Sequence, residues 1–113
     1  MKTLYIGDAN FLIGDAVADA LVEYHARLAS AHTADAVSLR VIGPDGNEET
    51  TSFTITDGIP LIVESNRSQL EEPDNTAAVE YMRERTSRLN ETPVAVIGDV
   101  GDEASRADEF DDV

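Results

Sequence analysis

The chain has 113 residues, 42% of them hydrophobic, with 23 acidic side chains against 8 basic ones and a formal net charge of −15. That length implies one domain with a modest core, and the apolar content excludes a disordered acidic chain. The absence of cysteine excludes disulfides, thiolate metal sites and cysteine nucleophiles. No apolar run approaches the roughly 18 to 20 residues that a membrane span requires. Met1 to Asp8 has one lysine and then reaches Gly-Asp, which does not read as a signal peptide. Phosphate contacts and anionic membrane surfaces both need clustered Lys and Arg. The charge balance therefore argues against direct nucleic-acid or membrane binding and leaves basic partners open. Lys2 is the only lysine beside seven arginines. A high-salt cytoplasm and a GC-rich genome each account for that bias, and a cytoplasmic location is expected.

Thr3–Ile6 and Asn10–Ile13 are short β-rich runs, and Gly7-Asp8-Ala9 between them is turn chemistry, which predicts a hairpin. Gly14-Asp15 ends the second run. Asp15 is the expected N-cap of a helix over about 16–30. Its expected apolar stripe is Val17, Ala18, Leu21, Val22, His25 and Leu28. Residues 36–42 alternate, with Val37, Leu39 and Val41 opposed by Ser38 and Arg40. After the turn Gly43-Pro44-Asp45-Gly46-Asn47, residues 49–56 alternate again, so the two runs predict a second hairpin. Ile59–Val63 reads as a further strand, with Pro60 at its start or on a sheet edge because proline cannot donate to a ladder. Residues 65–74 read as a loop, and Asp74 or Asn75 as the cap of a second helix over about 76–89. That helix carries Ala78, Val79, Met82 and Leu89, with Tyr81 alongside. Val94–Ile97, after Pro93, is a candidate last strand. The expected fold is α+β, with two layers: a mainly antiparallel sheet of four to six strands and two helices, in the order ββ-α-ββ(β)-α-β. Residues 1–98 form the expected single domain. Residues 99–113, with seven acids and one arginine, form an expected flexible tail.

Motifs that carry chemistry are few. A Walker loop and Schiff-base chemistry both need an internal lysine, which the chain lacks. Gly-x-Gly-x-x-Gly, His-Glu-x-x-His and Gly-x-Ser-x-Gly are absent. His25 and His32 stand seven apart, whereas metal-binding pairs sit three or four apart; His25 reads as a hydrogen-bonded core or rim histidine. A calcium loop starting at Asp99 would need Gly at its sixth position and Glu at its twelfth, where Ala104 and Phe110 stand. No catalytic, cofactor-binding or metal-ligating residue is assigned, and no cofactor is expected. Two residue sets remain as candidates. Arg83, Arg85 and Arg88 gather on the second helix beside Glu80 and Glu84 and form a possible interaction patch, with Glu84 and Arg88 in an i,i+4 relation. Tyr5, His25, Arg40 and Tyr81 are polar groups near apolar faces and could line a small pocket.

The pieces Thr3-Leu4-Tyr5-Ile6-Gly7, Asp15 to Leu21, Ile59-Pro60-Leu61-Ile62-Val63 and the helix from Asn75 together resemble a family of small actinobacterial domains over about residues 1–90. The resemblance implies the same order of elements. Members of that family carry the label ATP-dependent DNA ligase, but ligase chemistry needs a nucleophilic lysine in a Lys-x-Asp-Gly setting, and this chain has only Lys2. The family has no established function, so the resemblance implies none.

Three functional readings follow. The first is a non-catalytic protein-interaction or accessory domain, with a protein partner that includes a second copy of the chain. The second is an acidic inhibitor or nucleic-acid mimic that covers a basic partner. The third is a small-ligand binder.

Overall fold

The computed structural model describes residues 1–91. Seven elements run β1 (Lys2–Ile6), β2 (Ala9–Ile13), α1 (Asp15–Ser30), β3 (Asp35–Ile42), β4 (Glu48–Ile55), β5 (Leu61–Ser65) and α2 (Thr76–Glu91). The strands form one antiparallel sheet in the order β4-β3-β2-β1-β5, so the fold is α+β with the chain order ββ-α-ββ-β-α. The expected strand at Val94–Ile97 and the acidic tail lie outside the described residues.

Both predicted hairpins form. β1 and β2 pair around a two-residue loop in which Gly7 takes φ 58°, a left-handed conformation that suits glycine. β3 and β4 pair over eight residues. Their turn closes through hydrogen bonds from Gly43 N–H to Asn47 C=O (2.9 Å) and from Gly46 N–H to Gly43 C=O (2.9 Å), with Gly46 at φ 87°. β5 begins directly after Pro60 and pairs with β1 at the end of the sheet, the edge position that the proline predicts.

The cross-strand register decides which residues share a face. Leu4, Ile13, Val37, Leu39, Val41, Phe53 and Ile55 are buried beneath the helices. Phe11 and Phe53, from strands two apart in the sheet, meet edge-to-face at 5.6 Å. From α1, Val17, Leu21, Tyr24 and Leu28 enter this core at positions i, i+4, i+7 and i+11. This corrects the expected stripe. Val22 is 43% exposed and His25 half-buried, while Tyr24 is fully buried. The expected cap also moves: Gly14 is the N-cap, without a side-chain bond, and Asp15 is the first helical residue. A Cβ at Gly14 would lie 2.5 Å from Glu72 Oε1. The Glu72 carboxylate thus sits against the first turn and brings negative charge to a helix N-terminus from outside the helix. α2 follows Asn75 as expected, but only Met82 among its apolar positions is fully buried; Ala78, Val79 and Leu89 are partly so.

α1 and α2 run in the same direction. Val17 and Val79 line one cleft, Tyr24 lies near Tyr81 and Arg85, and Arg27 reaches Asn90 at 3.3 Å. β2 meets β3 at a single pair, Leu12 and Ile42.

Candidate interaction surface

The helices cover one face of the sheet. The other face is built by the residues that alternate with the core positions. Ile62, Tyr5 and Asn10 form one cross-strand row, and Glu64, Thr3, Leu12 and Ile42 form the next. Ile62 is 53% exposed and Tyr5 38%. Beside these rows lies a groove of about 280 Å³ between the β3–β4 turn and the loop after β5, lined by Leu12, Ile42, Pro44, Leu70, Asn10 and Asn66 among others. None of its lining residues is charged, which sets it apart in a chain of net charge −15. Asn66 fixes the loop by donating to Thr3 Oγ1 at 2.9 Å and accepting Ser68 N–H at 2.8 Å. Glu64, in the adjoining row, raises the Tyr5 phenol's pKa through the repulsion between its carboxylate and a phenolate and through a hydrogen bond to the phenol.

The two ends of the sheet differ. β4 opens with Glu48-Glu49-Thr50, all exposed. Charge of this kind blunts a strand edge against pairing with another chain. β5 opens with Leu61-Ile62-Val63, with no charge before Glu64 and no bulge or interior proline. It is the apolar, unguarded edge of the sheet.

A polar node lies on the helical side. Asp35, the first residue of β3, accepts hydrogen bonds through Oδ2 from Tyr24 of α1 and from Tyr81 of α2, the latter at 2.6 Å. Its Oδ1 accepts Ala36 N–H at 2.8 Å. Arg85 Nε donates to Tyr24 Oη at 3.3 Å, and its guanidinium lies 5.9 Å from the Tyr81 ring centroid. Burial pushes the Asp35 carboxyl up, but the two phenols and the amide outweigh it and hold its pKa below the usual value. Burial, then the bond to Asp35, pushes the Tyr24 phenol far up. The node joins α1, α2 and β3.

The sequence candidates scatter over these surfaces. The three arginines do not form one patch. Arg85 belongs to the node, Arg88 pairs with Glu84 at 3.1 Å as its spacing predicts, and Arg83 lines a cleft of about 520 Å³ between the first turns of α1 and α2, together with Glu72, Asp74 and Glu80. The four pocket groups do not converge either. Tyr5 and Arg40 lie on the outer sheet face, Arg40 bound to Glu48 (2.6 Å) and Thr50 (2.7 Å). His25 Nε2 bonds the Thr56 carbonyl oxygen at 3.0 Å, the rim histidine that its position suggests, and Tyr81 belongs to the node. Tyr24, Asp35 and Ile62 were not singled out by sequence. Among the described residues no group of three His, Cys, Asp or Glu side chains is arranged to hold a metal, and no helix is long and apolar enough to cross a membrane. No family model, curated protein or solved structure matches the chain.

Proposed function

We propose that this chain is a non-catalytic protein-interaction domain and that its first partner is a second copy of itself, joined by pairing of the two β5 edges. The contrast between the two sheet edges carries the reading. β4 bears adjacent glutamates, whereas β5 offers an apolar backbone edge with Ile62 half exposed beside Tyr5. Two strongly acidic molecules repel everywhere except where charge is scarce, and the β5 end of the outer face is such a place. Antiparallel pairing about a two-fold axis is isologous and would close both open edges at once.

The dispersal of the described carboxylates favours this reading over a phosphate mimic. Among the described residues Asp15, Asp19, Glu48 and Glu84 each hold an ion pair and Asp35 is committed to two phenols, so these five carboxylates are engaged within the chain. The lack of cysteine suits a reducing cytoplasm, where we place the domain.

The test is size-exclusion chromatography with light scattering on the wild type and on Ile62→Lys. The wild type should run at twice the 12.2 kDa chain mass at high protein concentration. Ile62→Lys, at an exposed edge site, should run as a monomer with an unchanged circular dichroism spectrum. A wild-type monomer at every concentration would overturn the proposal.

A further inference from the structure

The hydrogen-bond phase of β5 is set by its neighbours. The two-residue loop between β1 and β2 closes on the pair Ile6 and Ala9, so Lys2, Leu4 and Ile6 turn their backbone groups to β2. Thr3 and Tyr5 therefore turn theirs to β5, where they pair with Glu64 and Ile62. The same phase continues one step on, where Asn66 N–H donates to the Met1 carbonyl at 3.2 Å. Leu61, Val63 and Ser65 are left with N–H and C=O groups that point out of the sheet. Side chains follow the same alternation: Leu61 and Val63 lie half-buried, while Ile62 and Glu64 stand exposed on the outer face.

A second β5 can meet this edge only with its own Leu61, Val63 and Ser65 turned towards it. About a two-fold axis, the pairing can centre on Glu64, Val63 or Ile62. Centred on Glu64, two carboxylates stand directly opposite each other, a destabilising cross-strand pair. Centred on Val63, the strands gain one more hydrogen-bonded pair, but each Glu64 faces an Ile62 and the two carboxylates become diagonal neighbours about 7–8 Å apart. Centred on Ile62, the two Glu64 residues lie about 14 Å apart along the strands, and each faces the uncharged Pro60 of the other copy. Pro60 shares the phase of Ile62, so its missing N–H falls on the β1 side and costs the pairing nothing. In this register Ile62 meets Ile62 in a close, non-hydrogen-bonded pair, and Leu61 meets Val63 on the helical face. Tyr5 stands beside Ile62 in each sheet, so one row of Tyr5 and Ile62 side chains runs unbroken across the axis.

We infer that two copies pair with the axis at Ile62, and that Glu64 is the residue that selects this register. The inference rests on the β5-to-β5 dimer proposed above.

The chain has no cysteine, so single cysteines report the register by disulfide formation, which needs Cα atoms within about 7 Å. Ile62→Cys should cross-link at least tenfold faster than Val63→Cys. Glu64→Gln added to Val63→Cys should raise its rate at least tenfold, because the register centred on Val63 is then open. An unchanged rate would overturn the role of Glu64. Light scattering of each variant under reducing conditions separates the register from the dimer. In variants that are dimeric when reduced, equal rates, or faster cross-linking of Val63→Cys, would overturn the register and leave the dimer standing. A monomeric wild type would overturn both. Where a cysteine variant is itself monomeric, the wild-type dimer assembled from isotope-labelled and unlabelled chains gives the reading by nuclear Overhauser contacts. Ile62 methyls should contact Ile62 across the interface, and contact with Glu64 instead would overturn the register.

Discussion

Tyr24→Phe isolates one hydroxyl in the densest polar contact of the molecule. Tyr24 is fully buried, and its hydroxyl donates to Asp35 and accepts from Arg85. Removing it deletes a hydrogen bond to a charged group, worth about 1.5–3 kcal/mol, at a site that water cannot easily refill. The lost acceptor for Arg85 adds little, because that guanidinium is part-exposed and can turn to solvent. With roughly 2.1 cal/mol/K per residue over about ninety described residues, the entropy of unfolding is about 0.19 kcal/mol/K. A loss of about 2 kcal/mol then lowers Tm by about 10 °C. Tyr81→Phe removes a bond to the same carboxylate oxygen, but Tyr81 is 42% exposed and water can take the phenol's place. It should cost under about 1 kcal/mol, or less than about 5 °C. Thermal melts of the two variants by circular dichroism read the difference directly. Equal shifts for both, or a neutral Tyr24→Phe, would refute the claim that burial sets the value of this node.

The same node fixes a pH window. The Asp35 carboxyl is held below its unfolded value of about 3.9, so its contribution is fully present above about pH 4 and is lost as pH falls through the lowered folded value. The Tyr24 phenol is pushed up, so its contribution is present below its unfolded value of about 10 and is lost as pH rises through the folded one. Urea midpoints should therefore show a constant gap between wild type and Tyr24→Phe from about pH 5 to 9, and a gap that narrows below pH 4. Gly7→Ala should destabilise by about 1 kcal/mol through its backbone alone, since a Cβ there meets nothing within 4 Å while φ is 58°; chemical denaturation measures it, and an unchanged midpoint would contradict the left-handed turn. Arg40→Ala, which breaks a solvent-exposed ion pair with Glu48, should cost no more than about 1 kcal/mol in the same assay.

The local alternations were legible because they follow from the two-residue period of a strand and from turn residues that the backbone requires. Both hairpins, and Pro60 as the mark of an edge strand, came from such signals. Tyr24 was missed although its spacing from Val17, Leu21 and Leu28 fits the helical period, because Val22 and His25 also lie near that stripe and only packing shows which of them turns away. Asp35 was missed because its phenol partners stand 11 and 46 residues away. Gly14 rather than Asp15 is the cap because the backbone is still extended at Gly14 (φ −69°, ψ 161°) and already helical at Asp15, one residue before the sequence signal places it. Asn75 reads in sequence as a helix cap. That its amide also completes the edge of β3 depends on β2 stopping short, which strand patterns alone do not encode. The same holds for the contrast between the β4 and β5 edges, since sequence does not say which strands end the sheet.

The salt dependence of self-association tests the central proposal most directly. Two chains of charge −15 repel at low ionic strength, and added salt screens that repulsion while leaving edge pairing and apolar contact in place. Sedimentation equilibrium of the wild type from about 0.05 to 1 M salt should show dimerisation that strengthens as salt rises, and Ile62→Lys should remain monomeric throughout. A dimer that dissociates as salt rises, or one that Ile62→Lys leaves intact, would contradict it.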